Sequence, residues 1–256
     1  MDGSDGGVTA TALGTPIRHL ASVASTMDEA ARWAAEGAPH GAVVVAERQH
    51  GGRGRHGRVW ASAPGQSLLL TVVLRPSLPA ERIGLIPLAA GLAVAETAAA
   101  FGADARIKWP NDVRVGGRKL AGVLAETTWS GGRARVLLGV GLNVAQDAFA
   151  PPLDATATSL LLATGQPVPR LAPLEPLLAR LGDALEQAEA DPVALVAAVE
   201  ARMEGRGGRV AVRDPASGRI VAEGRVLGLA PGGALRLATE AGEVEVVAGE
   251  VTLATP

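Results

Sequence analysis

The spacing of apolar residues changes character several times along the chain, and each change marks an element. Ser25-Thr26-Met27-Asp28 precedes Glu29-Ala30-Ala31-Arg32-Trp33-Ala34-Ala35-Glu36-Gly37, the order of an N-cap, a short helix and a glycine stop. The run Ala42-Val43-Val44-Val45-Ala46-Glu47 is β-branched at its centre and uninterrupted, as in a strand buried on both faces. Residues 67–75 are again strand-like, and residues 80–101 read as a helix bent or split near Pro87. The alternation over 105–109 stops at Pro110-Asn111-Asp112, a turn signal. Residues 113–115, 119–129 and 133–144 then form a meander with turns at Gly116-Gly117 and Gly131-Gly132. Successive strands joined by tight turns pair antiparallel, so the pattern predicts an α+β layer fold.

From residue 171 to 202 the period becomes helical, with Leu174, Leu177, Leu178, Leu181 and Leu185 at spacings of three and four. Asp191-Pro192 divides this stretch into two helices, and Gly205-Arg206-Gly207-Gly208 reads as a linker. Short strands at 209–213, 220–229, 235–238, 244–247 and 251–253 follow, enough for a small barrel. The expected organisation is a flexible tail over 1–16, a main domain over 17–204 and a small barrel over 205–256.

Composition narrows the function classes. Twenty-four Lys and Arg against 26 Asp and Glu leave a net charge of −2, so any basic site is local rather than a whole surface built for polyanions. Hydrophobic residues at 48% supply a core, and the absence of cysteine removes disulfides, thiolate metal sites and thiol nucleophiles together. The N-terminal residues carry acid where a signal peptide needs positive charge, and the apolar run from Ile83 to Ala95 falls short of the roughly 20 residues of a spanning helix. A soluble, cytoplasmic protein with no membrane partner is the expectation.

The segment Gln49-His50-Gly51-Gly52-Arg53-Gly54-Arg55-His56-Gly57-Arg58-Val59-Trp60 has no helical or strand period and is dense in glycine and arginine. In extended chain Arg53 and Arg55 face the same way and present two guanidinium forks to a carboxylate or phosphate. A mobile Arg-Gly segment that touches RNA without specificity is the equal alternative on this motif alone. Gly52-x-Gly54-x-x-Gly57 matches the dinucleotide fingerprint in letters, but Arg58-Val59-Trp60-Ala61-Ser62-Ala63-Pro64 cannot open a helix and no acid follows between 67 and 80. Lys108, at a strand end before a turn, is either a point charge for an anion or an ordinary solvated lysine. Gly139 and Gly141 interrupt a Val/Leu strand, which implies a bulge or close backbone approach by a ligand, and Asn143 either meets a purine edge or closes the strand. The four histidines form no i, i+4 ligand pair, and neither HExxH nor GxSxG occurs. What remains stabilises negative charge without a protein nucleophile, which points toward acyl or phosphoryl activation by a nucleotide.

Taken together, these residues resemble the biotin protein ligases (biotin–[acetyl-CoA-carboxylase] ligases). The carrying motifs are Ser25-Thr26, Gln49 with Gly52-Arg53-Gly54-Arg55-His56-Gly57-Arg58-x-Trp60, Lys108-Trp109-Pro110-Asn111-Asp112, Lys119-Leu120-Ala121-Gly122-Val123-Leu124-Ala125-Glu126 and Gly139-Val140-Gly141-Leu142-Asn143, in the family's order. The resemblance implies a mixed, largely antiparallel sheet flanked by helices, of class II synthetase type, and a C-terminal SH3-like β-barrel. It implies conversion of biotin and MgATP to biotinyl-AMP, then transfer of biotin to a lysine of a carboxyl carrier domain. By the same resemblance Arg53, Arg55 and Lys108 are catalytic. Ser25, Thr26, Met27, Gln49, Gly52 and Gly54 join them around biotin, while Arg58, Trp60, Asn111, Lys119 and Asn143 join Arg53 and Arg55 around ATP. The Mg²⁺ ligands stay unassigned.

Met27 stands where the family commonly has Asn, and His56 where many members have Arg. The tail before Ile17 leaves no room for the DNA-binding domain of repressor-type members, so the monofunctional type without DNA binding is expected, with a weak homodimer allowed. A mixed anhydride needs protection from water, so residues about 50–60 are expected to be disordered until ligand binds. The alternatives are a lipoate or octanoyl ligase of the same fold, and a non-catalytic RNA-binding module.

Overall fold

In the computed structural model, which describes residues 13–253, the chain begins with a strand that its hydrophobic pattern does not announce, β1 (Ile17–Val23). It alternates poorly because it is a sheet edge, paired only with β2 (Val43–Gln49) and in parallel. Parallel pairing needs a crossover, which α1 (Thr26–Ala35) supplies. Ser25 caps this helix through Oγ, which accepts from the Met27 amide at 3.2 Å. The expected tail lies outside the described residues up to residue 12. Its last part is tied down: the Gly14 amide donates to the Gly41 carbonyl at 2.8 Å and the Pro16 carbonyl accepts from Val43 at 3.0 Å.

β3 (Ser67–Leu74) is buried at every position, as an unbroken apolar run requires. After a short 3-10 turn at Ala80–Arg82, α2 (Leu85–Ala100) carries Pro87 in its first turn, so this proline helps start the helix instead of bending it. The stretch Ala80–Ala100 is long and apolar enough to cross a membrane by composition, longer than the sequence pattern implied, yet most of its apolar part is buried inside the fold as a core helix. The meander follows as β4 (Ala105–Lys108), β5 (Asp112–Val115), β6 (Arg118–Ser130) and β7 (Arg133–Asn143). The sheet order is β1-β2-β3-β7-β6-β5-β4, antiparallel apart from the β1–β2 pair. The expected mixed, largely antiparallel sheet is therefore what the chain builds.

A short helix missed by periodicity, α3 (Leu160–Thr164), precedes α4 (Leu174–Ala190) and α5 (Pro192–Ala201). Asp191 separates the last two and caps α5, accepting from the Ala194 amide at 3.0 Å. On one face of the sheet α1 packs Met27, Ala30 and Trp33 against Val44, Val73 and Leu137. On the other, α2 covers the sheet with α4 and α5 behind it.

The C-terminal unit comprises β8 (Arg209–Arg213), β9 (Ile220–Leu229), β10 (Leu235–Thr239), β11 (Gly242–Val246) and β12 (Glu250–Leu253). Their order is β11-β10-β9-β8-β12, all antiparallel, so the ladder stays open between β11 and β12 where a fully closed barrel would pair them. Trp109 Nε1 donates to the Gly233 carbonyl at 3.0 Å, and Glu200 Oε1 accepts from the Leu229 amide at 2.6 Å. These bonds fix the small sheet beside the turn that follows β4.

Candidate functional site

The site begins with the absence of side chains. In the β6–β7 pairing Gly122 faces Gly141 and Leu124 faces Gly139, which leaves a bare trough on the sheet. A Cβ at Gly141 would lie 2.5 Å from the Trp60 ring and one at Gly139 would lie 2.9 Å from Met27 Sδ. The strand glycines thus serve close approach by the protein's own Trp60 and Met27, where a ligand was expected, and the trough becomes an inner cavity roofed by these two side chains.

The inner cavity has a polar end. The Thr26 amide and Thr26 Oγ1 both donate to Gln49 Oε1, at 2.7 and 3.0 Å, and Thr71 Oγ1 donates to Thr26 Oγ1 at 2.9 Å. Ser25, Thr26, Met27, Gln49, Arg53, Gly54 and Arg55 all line this cavity. Thr71 was not singled out from sequence; a hydroxyl in the middle of an apolar strand was its one signal.

A cationic wall separates the inner cavity from an outer one of about 250 Å³. Arg55, Trp60, Asn111 and Lys119 border both. Arg55 donates to Asn111 Oδ1 at 3.0 Å, and Asn111 Nδ2 donates to the Val123 carbonyl at 2.9 Å. Lys119 Nζ lies 2.6 Å from Asp112 Oδ1 and 5.5 Å above the Trp60 ring. Trp60 Nε1 is buried there with no hydrogen-bond partner, a donor held ready at the boundary.

Arg58, Lys108, Asp112 and Asn143 line the outer cavity, with Gly249, Glu250 and Val251 from the small sheet. Arg58 forms an ion pair with Glu250, which links the loop after β2 to β12. Burial, and then Arg114, push the Lys108 amine below the usual lysine range, against the pull of Asp112 and Glu204. Burial likewise raises the Glu204 carboxyl. His56, exposed and in the left-handed region at φ 57°, titrates below an ordinary histidine through desolvation and the nearby Arg55 and Arg58.

Not all of the expected site residues converge. Lys108 lines the outer cavity and not the inner one. Arg53 lines only the inner one, and its guanidinium is engaged by Asp28 at 3.1 Å and Glu126 at 3.4 Å. Gly52 lines neither; it lets the chain pass under Trp60, whose amide donates to the Gly52 carbonyl at 2.9 Å and whose carbonyl a Cβ would meet at 2.5 Å. Asn143 is 4% exposed. Its Oδ1 accepts from Ser67 Oγ at 3.3 Å and Gln146 Nε2 at 3.1 Å, and its Nδ2 donates to the Thr158 carbonyl at 3.0 Å. Residues 50–60 follow a defined path, with Arg53 bridged to Val59. Among the described residues no group of three or more His, Asp or Glu could hold a metal ion, and the carboxylates lining the outer cavity, Asp112 and Glu250, are both ion-paired.

Residues 20–143 match the Biotin/lipoate A/B protein ligase family and residues 207–253 the Biotin protein ligase C terminal domain. The chain is similar to the biotin protein ligase of Aquifex aeolicus solved in complex with biotin and ATP, at 30% identity and a TM-score of 0.80 over 94% of this chain and 99% of that one. It is 36% identical over 176 residues to the bifunctional ligase/repressor BirA of Bacillus spizizenii, covering 67% of this chain and 54% of that protein. It is 44% identical over 149 residues to the biotin--[acetyl-CoA-carboxylase] ligase of Mycobacterium tuberculosis, covering 56% of this chain and 53% of that protein. These matches span about half the length of the latter two relatives. The chain belongs to the biotin protein ligase family.

Proposed function

We propose that this protein activates biotin with ATP and passes it from the adenylate to a lysine of a biotin carboxyl carrier domain. The observation that carries the reading is the shared wall of Arg55, Trp60, Asn111 and Lys119 between two cavities, one ending in hydrogen-bonding groups and one lying between the two sheets. Biotin has a ureido headgroup that both donates and accepts, which suits the Thr26–Gln49–Thr71 end; the dithiolane of lipoate has no use for it. The nucleotide takes the outer cavity.

The carboxylate of biotin then meets the α-phosphate at the wall. Attack forms the acyl–phosphate C–O–P link and releases pyrophosphate, bringing two anions together, so Arg55, Lys119 and the half-buried Lys108 offset the repulsion. The residues present do not fit a resident metal, because Asp112 and Glu250 already have cationic partners; Mg²⁺ brought with the nucleotide would supply charge neutralisation on its phosphates. In the second step a neutral lysine amine attacks the acyl carbon to form the amide C–N bond, the C–O bond to AMP breaks, AMP leaves with the electron pair and the nitrogen loses its proton to water. Arg53, bound to Asp28 on α1 and Glu126 on β6, orders the loop over the inner cavity. Asn143, locked by Ser67, Gln146 and Thr158, acts through its position in the outer wall.

Biotin-dependent exchange of labelled pyrophosphate into ATP, run with lipoate in parallel, tests this reading. Exchange with biotin alone is the expected result; exchange with lipoate alone, or none, overturns it.

A further inference from the structure

Arg55 and Asn111 border a third opening as well as the two cavities above. This cleft runs between the first turn of α2 and β6, with Pro87 and Leu88 on one side and Leu124 and Ala125 on the other. Val247, just past β11 in the small sheet, stands at its mouth with 84% of its surface exposed, more than any other exposed large hydrophobic side chain among the described residues. Pro87, Leu88, Ala125 and Val247 line neither of the other two cavities, and the activation step does not use them.

We infer that this cleft is the entry path for the acceptor, taking an extended or turning peptide that presents a lysine flanked by apolar side chains. The inference rests on the proposed function, which requires three reactants to meet at one acyl carbon. The acid fills the inner cavity and the nucleotide the outer one, and the cleft is a third approach to the hydrogen-bonded Arg55–Asn111 pair. Its lining supports a protein rather than a small polar amine. Pro87, Leu88, Val123, Leu124, Ala125 and Val247 offer apolar contact, while a single charged residue, Arg55, stands at the inner end. No carboxylate lines the path to retain an ammonium, and a guanidinium at its end disfavours the protonated amine, so the lysine arrives in the form that can attack. The exposed valine then has a partner, one supplied by the acceptor.

The test uses Val247→Glu and Ala125→Glu in the full chain, because both residues lie outside the inner and outer cavities. Three rates are compared: biotin-dependent pyrophosphate exchange, transfer from preformed biotinyl-AMP to a purified carboxyl carrier domain, and release of the bound adenylate by hydroxylamine, a nucleophile too small to need the cleft walls. Exchange and the hydroxylamine reaction are expected to stay within about twofold of the unmodified protein, while the KM for the carrier rises at least tenfold. A carrier KM unchanged in both variants overturns the inference. Loss of exchange in the unmodified protein would instead overturn the proposed function on which it depends.

Discussion

Arg55 and Asn111, 56 residues apart in sequence, are joined by a 3.0 Å hydrogen bond that closes the boundary between the inner and outer cavities. The bond holds a half-buried guanidinium where an acid and a nucleotide would meet, on a scaffold fixed in turn by the Asn111–Val123 bond. Removing it separates two effects. Arg55→Ala should lower the exchange rate about 10²-fold or more, the scale of a lost charge-stabilising donor. Asn111→Ala should keep the charge but loosen its aim, and lose less. Measured exchange kinetics in which Asn111→Ala is worse than Arg55→Ala would reverse the assignment.

Gly141→Ala tests the trough. An added methyl would meet the Trp60 ring at 2.5 Å, so the ring must move off the sheet. The β6–β7 ladder should survive, giving a thermal midpoint within a few degrees of the parent. Biotin affinity, read by calorimetry, should fall by tenfold or more. Unchanged affinity would place biotin elsewhere.

The pH dependence follows from Lys108. Burial and Arg114 lower its pKa, so its cationic form, which exists below that pKa, is lost at a lower pH than for an exposed lysine. The alkaline limb of kcat/KM for exchange should therefore fall earlier than an ordinary lysine would dictate. Lys108→Arg, charged throughout, should shift that limb upward even with a lower maximal rate, whereas an unmoved limb would remove Lys108 from the chemistry. Lys108→Ala should lose about 10²-fold with the fold intact by circular dichroism.

The loop after β2 is held from several sides, by Asp28 and Glu126 on Arg53, Asn111 on Arg55 and Glu250 on Arg58. These are exposed or half-exposed pairs, each worth about 1 kcal/mol or less, so without ligand the loop should open often. Trypsin should cut at Arg53, Arg55 or Arg58 much faster in the free protein than with biotinyl-AMP bound. Glu250→Arg should speed that cutting and weaken ATP binding; equal cutting rates with and without biotinyl-AMP would mean that the loop is no lid.

Much of this site was legible because its chemistry is compositionally odd. Arg55, Lys108, Asn111 and Lys119 sit in short runs rich in Gly, Arg, Lys and Asn, and the interrupted strand at Gly139 and Gly141 announced close approach. The meander was legible from its paired-glycine turns. The partners were not: Asp28, Glu126 and Glu250 look like solvated surface acids until folding brings them to Arg53 and Arg58. Thr71 and Gln146 act through contacts 45 and 79 residues away in sequence, with Thr26 and Ser67 respectively. β1 escaped notice because an edge strand pairs on one side and has no need of a strict apolar period.

A crystal structure with biotinyl-AMP bound speaks most directly to the central claim. The account predicts the bicyclic ring on the Gly122–Gly141 trough beside Thr26 and Gln49, the adenosine in the outer cavity and the acyl phosphate within hydrogen-bond reach of Arg55. An adenylate lying outside both cavities, with Arg55 and Lys119 untouched, would contradict it.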